Sequence, residues 1–120
     1  MLVQTNNIKS KSFNANATNL PLGIKANYWL YLNHYDQKAV AQSLKIPILI
    51  LQGELDYQVT MTDFMGWKKA LNKHKNVTFK SFPNLNHLFL PSDNPSSPAH
   101  YEKRQDLPEE VIDTIVNWIK

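Results

Sequence analysis

The sequence predicts an α/β protein built on a parallel βαβ unit with flanking helices, and three stretches carry that expectation. Ile48-Leu49-Ile50-Leu51 is an unbroken aliphatic run between Pro47 and Gly53, the pattern of a strand buried on both faces. Val77-Thr78-Phe79-Lys80-Ser81-Phe82 mixes apolar and polar residues among strong β formers, as expected nearer a sheet edge. Between them, Thr60 and Asp63 have the spacing of a capping box, and Phe64, Trp67 and Leu71 recur at helical intervals. A helix with one core-facing stripe therefore joins the two strands. Strand, helix and strand at this spacing make parallel strands with a right-handed crossover.

Taken in order, residues 1–20 hold five Asn with several Ser, Thr and Lys and read as a linker or poorly ordered arm. Residues 21–120 then form the domain. Tyr28, Trp29, Tyr31 and Tyr35 crowd into a short helix and turn; no basic residues interleave with them, so core packing or a cover over a cleft is expected rather than a nucleic-acid platform. Asp36 caps a helix running through Leu44, with Ala39, Val40 and Leu44 apolar. Pro47 opens the first strand, whose four aliphatic side chains are worth about 1.5–3 kcal/mol each when buried. The next helix runs to about Asn72, and Gly66 inside it costs about 1 kcal/mol relative to Ala. Pro83 ends the second strand, and residues 91–98, with three Pro and three Ser, form a surface loop. A final helix from Pro108 to Lys120 follows the capping-box spacing of Asp106 and Glu109. Its Val111, Ile112, Ile115, Trp118 and Ile119 make a broad apolar face that must pack on a sheet.

Composition limits the function. The 120 residues suit one domain, and 42% hydrophobic with 19% charged residues is ordinary for a globular chain. No run of about 18 apolar residues is present, so no membrane span is expected. Met1 to Ser12 lack the basic-then-apolar pattern of a signal peptide, which leaves cytoplasm as the default compartment. There is no cysteine, so disulfides and thiolate chemistry are absent. The formal charge is +3, with 13 basic residues scattered among 10 acidic ones. Lys68, Lys69, Lys73 and Lys75 are best explained as complementing a helix C-terminus, and no nucleic-acid partner is expected.

Chemistry is expected where the two strands end. Parallel strands bring their carboxyl ends to one edge of the sheet, where α/β proteins place their sites. Asp56 follows the first strand and His87 the second, so a carboxylate and an imidazole meet there. A carboxylate that accepts the imidazole Nδ1–H fixes the tautomer and stabilises the imidazolium, and Nε2 becomes a general base. An acid followed by a histidine near the chain end is the order of α/β-hydrolase triads.

The run IPILILQGELDYQVTMTDFMGWKKAL, followed by NVTFKSFPNLNHLFLP, resembles the C-terminal part of bacterial α/β-hydrolases. The similar proteins are esterases, dienelactone-hydrolase-like proteins and acyl-CoA thioester hydrolases. The likeness extends through YWLYLNHYD and PEEVIDTIVNWI and covers about residues 21–120. It implies the C-terminal portion of an α/β-hydrolase fold. It also implies an ester or thioester substrate, with Asp56 as triad acid and His87 as triad base, and neither a metal nor an organic cofactor.

The chain departs from the family at the nucleophile. Its glycines are Gly23, Gly53 and Gly66, and none of Ser10, Ser12, Ser43, Ser81, Ser92, Ser96 or Ser97 lies in a Gly-x-Ser-x-Gly elbow. The expectation is a fragment whose nucleophile half lies elsewhere. The open edge of its aliphatic strand would invite either that missing half or self-association. The alternative is a truncated, non-catalytic remnant that self-associates or binds a partner. Of the other candidates, Glu54 is expected to face solvent, and His34, His74 and His100 lack metal-ligand spacing. Trp67 and Phe64 suit the core. Asn16 and Asn76 begin glycosylation-type tripeptides that are common by chance.

Overall fold

The computed structural model describes residues 2–10, 13–93 and 96–120. Met1, Ser12 and the Asn94-Pro95 part of the expected 91–98 loop lie outside the described residues. The chain divides into two compact units, one ending at Gln37 and the other running from Lys38 to Lys120.

In the first unit, α1 (Leu2–Lys9) and α2 (Ala26–His34) flank a single 3-10 turn at Pro21–Gly23. Helix α1 forms inside the stretch whose composition suggests an arm. Its sequence, LVQTNNIK, has no apolar stripe; it is held instead by polar side chains. Gln4 Nε2 donates to Asn19 Oδ1 at 2.6 Å, and Asn33 Nδ2 donates to the Ile8 carbonyl at 3.1 Å. The aromatic cluster pairs locally, Tyr28 edge-on to Trp29 and Tyr31 stacked on Tyr35.

The second unit is the βαβ unit. Helix α3 (Gln37–Ser43) leads to β1 (Ile48–Gly53), α4 (Met61–Ala70), β2 (Val77–Phe82) and, after a 3-10 turn at Pro98–Glu102, α5 (Glu109–Ile119). Strands β1 and β2 pair in parallel with Ile48 opposite Val77 and Gly53 opposite Phe82. The capping box at α4 forms as its spacing predicts: Thr60 N–H donates to Asp63 Oδ2 at 3.1 Å. Side-chain alternation divides the sheet into two faces. On one, Phe79 meets the Phe64 ring of α4 edge-on at 5.7 Å. On the other, Phe82, Leu85 and Val111 of α5 form a buried cluster against which Leu51 and Phe89 pack.

Three expectations are corrected. Strand β1 is not buried throughout: Ile48 to Leu51 are only half-buried, and burial is complete only at Gln52 and Gly53. The cause is geometric, because β1 has one strand neighbour and no described strand lies along its other edge. Helix α5 likewise buries only Val111, while Ile112, Val116 and Ile119 remain exposed. A two-stranded sheet is too narrow to cover its apolar face. The helix also starts at Glu109, since Pro108 keeps an extended ψ of 137° and stands as the cap in place of Asp106.

Candidate active site

The site is built where both strands stop. Past the last β1 residue, the chain crosses directly under the loop that follows β2. Glu54 N–H donates to the Phe82 carbonyl at 2.9 Å, and Leu55 N–H to the Leu85 carbonyl at 3.0 Å. Gly53 makes that approach possible, because a Cβ there would overlap the carbonyl oxygens of Leu85 and Asn86. The two strand ends are thereby fastened to each other through backbone.

Asp56 is 8% exposed and its carboxylate is fully engaged. Oδ1 accepts the N–H groups of Gln58 at 2.8 Å and Val59 at 2.9 Å, closing an Asx-type turn. Oδ2 lies 2.8 Å from His87 Nδ1. Since an ionised carboxylate only accepts, Nδ1 carries the proton of that bond, and Nε2 is left as the basic nitrogen. Burial pushes the Asp56 carboxyl up, but the Val59 N–H, the His87 bond and the Gln58 N–H together hold it below its ordinary value. The acid therefore stays ionised at neutral pH, as a residue that orients an imidazole must.

The His87 side chain is 39% exposed, and its loop is shaped by its neighbours. Asn86 is fully buried, and its Oδ1 accepts from Leu88 N–H at 2.9 Å and Leu90 N–H at 3.2 Å. Phe89 takes a left-handed φ of 57°, uncommon for a bulky residue, and its ring meets Phe82 edge-on at 5.9 Å. A hollow of about 200 Å³ opens beside the acid and the imidazole, lined also by Leu51, Gln52, Val59 and Phe89.

The structure brings Asp56 and His87 together and keeps the other candidates apart from them. Ser81 Oγ donates to Glu54 Oε1 at 2.6 Å, so Glu54 is turned along the sheet. His74 spends both ring nitrogens on backbone, at Leu44 O and Asn76 N. His34 Nδ1 binds the Leu30 carbonyl, and His100 Nδ1 accepts from Ser97 N–H. Among the described residues no group of His, Asp and Glu could hold a metal ion. No described serine hydroxyl is hydrogen-bonded to His87 either; Ser10, Ser43 and Ser81 donate elsewhere. Sequence reasoning missed Gln52, which is 7% exposed and lies within 3.3 Å of Asp56 Oδ2. Its one signal is an amide interrupting the apolar alternation of Ile48 and Ile50 just before Gly53.

Comparison with known proteins agrees with this architecture. No solved structure matches the chain. Esterase EstD of Thermotoga maritima is 38% identical over 98 residues, which is 82% of this chain and 24% of that protein. The chain thus spans about a quarter of the curated relative it matches. The dienelactone hydrolase family matches residues 15–120, a span that includes both strands, the crossover helix and both members of the acid–imidazole pair. An α/β-hydrolase fold carried in part by a parallel βαβ unit, together with that match, makes this chain a member of the dienelactone hydrolase family.

Proposed function

We propose that the chain supplies the acid and base of a serine-type hydrolase acting on carboxylic esters or thioesters. The observation that carries this is the 2.8 Å contact of Asp56 Oδ2 with His87 Nδ1 at the carboxyl ends of two parallel strands. The name of the Thermotoga relative, an esterase, supports the same class. Asp56 holds the imidazole with Nε2 outward. Nε2 takes the proton of a serine hydroxyl as its oxygen bonds to the acyl carbon. The same proton then passes to the leaving alcohol or thiol as the C–O or C–S bond breaks. Water repeats the cycle on the acyl-enzyme. The serine is supplied by polypeptide outside these 120 residues, because no Gly-x-Ser-x-Gly occurs within them.

The test is hydrolysis of a chromogenic short-chain ester by the assembled enzyme, before and after His87→Ala. Removing the base is expected to lower kcat by about 10²–10⁴; unchanged turnover would take His87 out of the mechanism.

A second reading, a non-catalytic remnant that pairs with another copy of itself, is favoured by the bare edge of β1. There Ile48–Leu51, with Ala41, Leu44, Trp67 and Leu71, line an apolar hollow of about 390 Å³. An exposed strand edge beside apolar surface favours pairing. Sedimentation of the purified chain over a hundredfold range of concentration tests it, and a monomer throughout would sink it. A stoichiometric fluorophosphonate adduct on the chain alone would sink it as well.

A further inference from the structure

Gln52 occupies a position where the β1 alternation calls for an aliphatic residue. It shares a face with Ile48 and Ile50, yet carries an amide and is 7% exposed. Its Nε2 is surrounded by acceptors: the Val59 carbonyl at 2.8 Å, the Gly53 carbonyl at 2.9 Å and Asp56 Oδ2 at 3.3 Å. Three oxygens fix which end of the amide is nitrogen, since a flipped Gln52 would set its own oxygen against all of them. Gly53 is the last residue of β1 and Val59 the last before the Thr60 cap of α4. One side chain therefore ties together both ends of the loop that displays Asp56.

We infer that Gln52 is the positioning residue of the acid, a clamp that holds the 53–59 loop closed so that Asp56 meets His87. It acts chiefly through Val59. With the Val59 carbonyl held by Gln52, the Val59 N–H on the same residue is aimed at Asp56 Oδ1, 2.9 Å away. The weaker 3.3 Å contact adds a direct donor on the oxygen that His87 uses. Of the other ionisable groups around the loop, Glu54 and Lys80 are turned elsewhere, while the Tyr57 hydroxyl is pushed up by burial, by Tyr101 and by the Asp56 charge. Glu54 accepts from Ser81, Lys80 lies over the Phe82 ring, and Tyr57 stacks on Tyr101. The role of the clamp in turnover rests on the catalytic reading of Asp56 and His87; the clamp itself does not.

The experiment is an NMR titration of the Asp56 side-chain carboxyl carbon in the full 120-residue chain. Wild type is compared with Gln52→Met, which keeps the length and loses the donor, and Gln52→Glu, which adds a like charge. The Asp56 midpoint is expected to rise by about half a pH unit in the Met variant and by more than that in the Glu variant. A residue serving only as core filler would leave the midpoint where it is, and an unchanged midpoint in folded Gln52→Met overturns the inference. A second measurement needs no variant. In wild type the Gln52 amide protons should exchange slowly with solvent and shift along with the Asp56 titration; free exchange with no such shift overturns the inference too. In the assembled enzyme, Gln52→Met should lower kcat about tenfold or more with KM little changed. Ester hydrolysis that survives His87→Ala would remove the catalytic reading and leave the NMR result standing. An unmoved Asp56 midpoint would remove the clamp and leave the catalytic reading standing.

Discussion

At its carboxyl end, β1 is closely packed. Gln52 and Gly53 are buried, Asp56 has four polar neighbours, and the loop after β2 crosses so closely that a single methyl would not fit. Along its outer edge the same strand is open: Ile48–Leu51 are half-exposed and Ile46 is 62% exposed. Helix α5 repeats the contrast, with Val111 at 2% exposure on the buried cluster and Ile119 at 70%. Strong order at the site and poor cover at the edge teach that the site's geometry comes from local backbone crossings, independent of how wide the sheet is.

The sharpest way to break this contrast is Gly53→Ala. The new Cβ meets backbone oxygens rather than a flexible side chain, so the two strand ends must separate. A loss of about 3 kcal/mol or more is expected in denaturant unfolding, together with loss of the Asp56–His87 contact by NMR. A smaller effect comes from acid. Because the folded state holds the Asp56 carboxyl below its ordinary value, the associated stability is present above the unfolded pKa of about 3.9. It is lost as pH falls through the lower, folded value. Asp56→Asn should flatten the decline of stability in that acid window and leave the slope near neutrality unchanged; an unaltered acid limb would refute the assignment.

Gly66→Ala probes the helix over the sheet. Its new methyl would lie 3.5 Å from Lys38 Nζ, an ordinary contact, so α4 should gain about 0.5–1 kcal/mol by thermal melting. The least effect on the folded monomer belongs to the open side. Ile119→Lys should change its stability by no more than about 0.5 kcal/mol while weakening any concentration-dependent association seen by sedimentation. A large loss of monomer stability would mean that the face is covered after all.

Much of the site was legible because it follows from topology. Parallel strands force the residues after Leu51 and after Phe82 to one edge, and Asp56 and His87 are the acid and imidazole found there. The Thr60–Asp63 cap could be read from spacing alone. What could not be read depended on neighbours rather than on local pattern. An aliphatic run looks the same whether both edges are paired or one is bare, so the half-exposure of β1 was invisible. Helix α1 leaves no mark in the sequence, because LVQTNNIK has no stripe and its support comes from Asn19 and Asn33, distant in the chain. Gln52 is hard to read from sequence because its three oxygen partners gather around it only once the 53–59 loop has closed.

The crossing at Gly53 has a consequence for timing. The backbone crossing there brings the ends of β1 and β2 together, and Asp56 and His87 already touch within this chain. The entropy of aligning acid and base is already spent during the folding of this chain. On the catalytic reading proposed above, an incoming nucleophile would therefore meet a carboxylate and an imidazole already in contact, and activity would rise in proportion to partner concentration without a slow rearrangement step.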